Sequence, residues 1–193
     1  MTNTEALIER WQNGDERAAE ALYNHYRERL FRLAYGLLGN PADAEEAAQD
    51  ALTYALVNIH RYDPQRASFA TWLHTIAVSR CRDRLRRRRW PTLSLSAWLD
   101  RGGDAPDPLP QPERQTIRAE AHGQVWEAVQ ALSRPLREAI LLRYWANHTY
   151  HEMADILGCP IGTAQSRVRL AYQRLRILLV PTELDHLEEG KLL

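Results

Sequence analysis

Ala18, Leu22, Tyr26, Leu30, Leu33 and Leu37 follow one another at steps of four, four, four, three and four residues. An α-helix keeps such a series on one face, because its turn of about 3.6 residues stacks every third or fourth side chain. A strand would divide them between two faces. Asp15 stands ahead of the series as an N-cap. Gly39-Asn40-Pro41 then ends one helix and opens the next, with Asn40 as cap and Pro41 in the first turn. Asp43, Glu45 and Glu46 favour the positive start of this second helix, which turns Ala44, Ala48, Leu52, Ala55 and Ile59 inward. The turn-forming stretch 61–67 breaks it. A third helix is expected from a Ser68 cap through Phe69, Trp72, Leu73, Ile76 and Leu85, ending before Pro91. Trp72 shares helical spacing with Phe69 and Ile76, so it reads as core rather than as a platform for a stacked base.

Residues 91–115 change character. They hold five of the ten prolines, with Gly102-Gly103 and several aspartates, and read as a flexible linker. Helical patterns resume over 116–131, from Ser133 and Pro135 through Trp145, from Thr149, and over 161–179. The expectation is an all-α chain of two small helical domains, 1–90 and 116–180, joined by a proline-rich linker at 91–115 and followed by an acidic tail at 181–193.

The formal net charge of zero conceals a segregation. Residues 1–79 carry about −4, 80–90 about +6, 143–180 about +3 and the tail about −3, so separate faces suit opposite partners. Cys81 and Cys159 lie far apart without a CxxC spacing, which argues against a disulfide framework or a zinc site. His148 and His151 are three apart at a helix cap with no further ligand nearby, so no metal and no cofactor are expected. No phosphate loop, metalloprotease pattern or nucleophile elbow occurs, and the chain does not read as an enzyme. Charged residues interrupt the N-terminal stretch early, and no apolar run reaches the roughly 20 residues of a membrane span. A cytoplasmic protein without membrane insertion of its own is expected.

Residues 149–176 carry the clearest motif. Thr149 and Glu152 have capping-box spacing, and Met153, Ala154, Ile156 and Leu157 form a short apolar stripe. Gly158 suits a left-handed turn, and Pro160 a first helical turn. In the last helix Ala164, Val168, Ala171 or Tyr172, and Leu175 face a core, while Thr163, Gln165, Ser166, Arg167, Arg169 and Arg174 face out. That set suits a recognition helix in a major groove, where arginine pairs with guanine and glutamine with adenine. A plain helical hairpin with a solvated cationic face is the competing reading.

The stretches Leu132–Glu138, Leu141–Tyr144, Tyr150–Ala154 and Gly158–Arg167 resemble region 4 of the extracytoplasmic-function (ECF) sigma factors of the sigma-70 family. Asn40–Asp50, Phe69–Ala77 and Asp83–Arg86 are similar to sigma region 2. The resemblance implies promoter-specific transcription initiation by RNA polymerase and three surfaces. Asp43, Glu46, Gln49 and Asp50 would dock on the clamp helices of the largest polymerase subunit; a first-turn acidic cluster serving only the helix dipole explains Asp43 and Glu46 but not the other two. The loop around Tyr62 and Arg66, with Ser79, Arg80, Asp83, Arg84 and Arg86, would hold the melted minus-10 strand. The outward set of the last helix would read the minus-35 duplex. Ser79 stands where many members carry asparagine, a shorter reach that bears on minus-10 preference. The family also implies an anti-sigma factor as partner. A classical helix-turn-helix regulator with an N-terminal sensory or dimerisation domain would leave Gln49, Asp50 and the arginines of 80–89 without a role; an interaction protein whose cationic helix binds an acidic partner is a third reading.

Overall fold

The computed structural model describes residues 3–89 and 116–179, with side chains from 4–88 and 123–179. The expected linker and acidic tail lie outside the described residues. Among the described residues all regular structure is helical, in agreement with the all-α expectation. The first half comprises α1 (Asn3–Gln12), α2 (Glu16–Leu38), α3 (Pro41–Val57), a 3₁₀ turn at Ile59–Arg61 and α4 (Phe69–Arg89). Local chemistry sets these boundaries. Asp15 accepts from the Arg17 N–H to open α2, and Asn40 accepts from the Asp43 N–H to open α3. Between them Gly39 adopts φ 69°, a left-handed geometry in which a side chain is strained. The Ser68 hydroxyl accepts from the Thr71 N–H at 3.1 Å and starts α4.

The periodic series of α2 is buried from Ala18 to Leu37, and its Leu22, Tyr26 and Leu30 pack with Ala48, Ala51, Leu52 and Ala55 of α3 and with Phe69, Leu73 and Ala77 of α4. The small residues of α3 let the three helix axes approach closely. Helix α1 had no counterpart in the sequence reading. Its Ile8 is buried, and the Trp11 indole donates to the Leu56 carbonyl at 2.9 Å.

The second half comprises α5 (Thr116–Ala131), α6 (Arg134–Ile140) running on as one π-helical turn at Leu141–Trp145, α7 (Tyr150–Leu157) and α8 (Ile161–Leu178). The π turn ends where the Ala146 N–H donates to the Leu141 carbonyl at 2.9 Å. Asn147 follows at φ 55°, a conformation asparagine tolerates, and turns His148 inward. Both arms of the Thr149–Glu152 capping box form. Gly158 closes α7 at φ 64°. Pro160 sits one position earlier than expected, at the N-cap of α8 rather than inside its first turn.

The two halves share one apolar core. Leu33, Leu37, Val78 and Cys81 of the first pack with Ile140, Leu141, Leu142, Met153, Ile156 and Leu157 of the second. Polar contacts join the same surfaces. The last carbonyls of α2, which have no partner within their own helix, accept from the second half: Gly36 from the Gln130 amide at 2.8 Å and Leu37 from Arg137 at 3.2 Å. A cation at this helix end also meets the favourable pole of its dipole. A Cβ at Gly36 would lie 2.8 Å from Leu141 Cδ1, so a larger residue here would push the Leu141 side chain aside. Tyr35 stacks on Trp126 with ring centroids 4.5 Å apart.

Candidate nucleic-acid and polymerase interface

The helix-turn-helix unit is built by α7, the Gly158 turn and α8. Ala164, Val168, Ala171 and Leu175 are buried and fix the rotation of α8. At about 100° per residue, Thr163, Arg167 and Arg174 then fall on one shoulder of the helix, Gln165 and Arg169 on the other, and Ser166 between them. Gln165, Ser166, Arg169 and Arg174 are exposed, whereas Thr163 and Arg167 are half-buried. The Arg167 guanidinium has a 3.8 Å contact with the Cys159 sulfur, a weak tether. Arg174 stands two turns beyond Arg167, beside Leu136 and the turn before α6.

The 61–67 loop and the start of α4 border an open cavity of about 400 Å³. Arg61, Arg66, Thr71, Trp72 and Thr75 line it, and Asp155 of α7 closes its far side. Trp72 is half-buried, with one part in the aromatic cluster and another on this cavity. Tyr62 also lines it, though largely buried, and lies edge-on to Phe69 with ring centroids 5.4 Å apart. Arg66 and Ser79 are exposed.

The remaining residues of the expected minus-10 set have partners within the chain. Arg80 lies over the Tyr54 ring, 5.0 Å from its centroid. Asp83 pairs with the exposed Arg86 at 3.0 Å. Arg84 bonds Asp43 at 3.0 Å and also pairs with Glu46, while Arg88 pairs with Asp43. Two of the four expected docking residues therefore neutralise part of the arginine run. Gln49 and Asp50 remain exposed one turn further along α3.

Sequence reasoning did not find the buried polar contacts that join this surface to the second half. Glu138 is almost wholly buried and takes both Nε and Nη2 of Arg82, at 3.0 and 2.7 Å. These bonds hold the Arg82 guanidinium above its usual value despite burial. Arg137 is drawn below its usual value by burial. With Arg86, Arg88 and Arg134, these two line a cleft of about 720 Å³ between the halves. Partners more than 50 residues apart gave no local signal.

Two family models match the chain in order: sigma-70 region 2 over residues 22–91 and sigma-70 region 4 over residues 122–175. The RNA polymerase sigma-H factor of Pseudomonas aeruginosa is 31% identical over 180 residues, covering 91% of this chain and 93% of that one. The chain belongs to the ECF sigma factors of the sigma-70 family. The ECF RNA polymerase sigma factor RpoE of Cereibacter sphaeroides is 33% identical, with 84% of this chain and 86% of that one covered. Among solved structures, the sigma factor RpoE of Bartonella quintana, in complex with the anti-sigma factor NepR, aligns with a TM-score of 0.65. It is 25% identical, over 82% of this chain and 94% of that one. As an ECF sigma factor, the chain binds core RNA polymerase and directs promoter-specific initiation. Region 2 thus contains the α3–α4 charge cluster and every wall of the loop cavity but Asp155, and region 4 contains Asp155 and the helix-turn-helix unit.

Proposed function

We propose that this sigma factor divides promoter reading between two surfaces and assigns polymerase docking to a third. The outward face of α8 reads the minus-35 duplex, with Gln165, Ser166, Arg167 and Arg169 at base edges or phosphates and Thr163 and Arg174 at the margins. The loop cavity beside Arg66 receives an unstacked minus-10 base, and Ser79, Arg80, Asp83, Arg84 and Arg86 follow the strand. Tyr62 contributes by holding the loop. Asp43, Glu46, Gln49 and Asp50 meet the clamp helices, exchanging the internal Arg84 and Arg88 pairs for contacts with polymerase. The working divisions are 1–90, 91–115, 116–180 and 181–193.

The carrying observation is the pairing of a capped helix-turn-helix, whose second helix has a polar outer face, with a cavity beside an arginine-rich helix. Such a protein acts by binding energy and is not an enzyme. It works in the cytoplasm, where its polymerase is found, and is held by an anti-sigma factor, as the Bartonella relative is. Reconstitution with core polymerase, followed by transcript mapping, tests the reading. Transcripts should start at discrete promoters, and Gln49→Ala with Asp50→Ala should abolish them without unfolding the chain. Discrete starts that survive both substitutions refute the docking assignment.

A further inference from the structure

His74 of α4 and His148 of the segment before α7 meet across the boundary between regions 2 and 4. His74 Nδ1 lies 2.6 Å from His148 Nε2, the rings are perpendicular, and both side chains are buried. One proton lies between these two nitrogens, so one ring donates and the other accepts. Glu152 sets the direction. Its carboxylate lies 3.7 Å from His148 Nδ1 and favours a proton there, leaving His148 Nε2 to accept from His74. The outer nitrogen of His74, Nε2, is then a buried bare atom that makes no hydrogen bond among the described residues.

The surroundings hold this neutral arrangement in place. Glu152 accepts from the Thr71 hydroxyl of α4 at 2.9 Å and from the Thr149 N–H at 2.8 Å. Arg143 donates to the His148 carbonyl at 2.9 Å, which fixes the backbone of that residue. The positive charge of Arg29 on α2 also disfavours a proton on His74. A proton added to His74 Nε2 would bury a charge without an acceptor, near Arg29. A proton added to His148 Nε2 would confront the N–H of His74.

We propose that the His74–His148 pair is a proton-sensitive latch that holds region 4 against region 2 and releases it when the pair is protonated. Burial, then His148 and Arg29, push His74 down to about 3, against the opposing pull of Glu152. Burial also lowers His148, and Glu152 only partly offsets this. In the separated form both rings meet water and regain the ordinary histidine value near 6.5. Because the closed form holds the values down, its advantage is complete above about pH 6.5 and declines as the pH falls below it. If both rings protonate on opening, the open-to-closed ratio rises about 100-fold between about pH 7.5 and 5.5.

Small-angle scattering of the full chain over this range tests the latch, with circular dichroism recording helix content. The chain should expand below about pH 6.5 at constant helix content, and imidazole NMR should show His74 and His148 gaining protons together with the expansion. In the His74→Gln, His148→Gln double variant the pH step should disappear, whether that variant is compact or extended throughout. A wild-type chain that stays compact at pH 5.5, a variant that keeps the same step, or expansion accompanied by helix loss overturns the proposal. The promoter consequence rests on the minus-10 reading, because release removes Asp155 from the loop cavity. Expansion without tighter binding of a minus-10 single strand supports the latch and counts against that reading alone.

Discussion

Glu152 has three roles that a single carboxylate can fill because its oxygens point to different elements. It completes the cap of α7 through Thr149, bonds Thr71 of α4, and orients His148. Burial pushes its acid value up, but the bonds from Thr149 and Thr71 outweigh this and hold it below the usual range. It is therefore ionised at neutral pH, as a cap and an acceptor should be. Thr149→Ala removes one arm of the cap and should cost about 1 kcal/mol. Glu152→Ala removes the other arm and the contact to region 2 as well, and should cost about 2 kcal/mol. Urea unfolding of the two variants measures the order. Equal losses would mean that the Thr71 bond contributes nothing to stability.

At the scale of elements, what could be read from sequence was what is decided locally. Asp15, Asn40 with Pro41, and Thr149 with Glu152 each act within four residues of their own backbone, and all form the caps their spacing implies. The polar face of α8 was equally legible, since burying Ala164, Val168, Ala171 and Leu175 dictates which residues turn outward. Helix α1 was not, because Trp11 is held by a carbonyl 45 residues away. The pairing of Arg84 with Asp43 spans 41 residues and left no mark in the spacing of either segment. The loop cavity was anticipated only through the family, and its walls come from two separate helices. The α8 geometry supports a prediction of its own. Arg167 is tethered only weakly, to Cys159, and the proposed minus-35 reading has it reach a base edge. Arg167→Ala should lose about 1–3 kcal/mol on the cognate minus-35 duplex and much less on a scrambled one. Arg169→Ala should weaken both alike and reduce the salt dependence by about one phosphate. Titrations of both duplexes at several salt concentrations separate the two roles, and equal losses for Arg167→Ala would reassign it to the backbone.

At the scale of the molecule, the two regions are held together by contacts that are sealed only while they touch. Glu138, almost wholly buried, holds the partly exposed Arg82 through two bonds, and the Gly36 and Leu37 carbonyls take side-chain donors from the second half. Cys81 lies in the same shared core, and burial, followed by the charge of Glu138, pushes its thiol up to about 12. A thiol in that state is inert, since the thiolate is the reactive form. Opening removes both causes at once, so Cys81 reports on domain separation. Cys159, which is only partly buried, is the internal comparison. Iodoacetamide at pH 8 should modify Cys159 well before Cys81 in the wild-type chain. Glu138→Ala leaves Arg82 without its partner; breaking a buried pair costs about 3–5 kcal/mol, and about 2 is reasonable where Arg82 is partly exposed. A loss of about 2 kcal/mol in closure raises the open population about 30-fold, and Cys81 modification should accelerate by a similar factor. Mass spectrometry of the alkylated peptides over time reads both rates. If Cys81 reacts as fast as Cys159 in the wild-type chain, or if Glu138→Ala leaves its rate unchanged, the contacts around Glu138 do not govern closure.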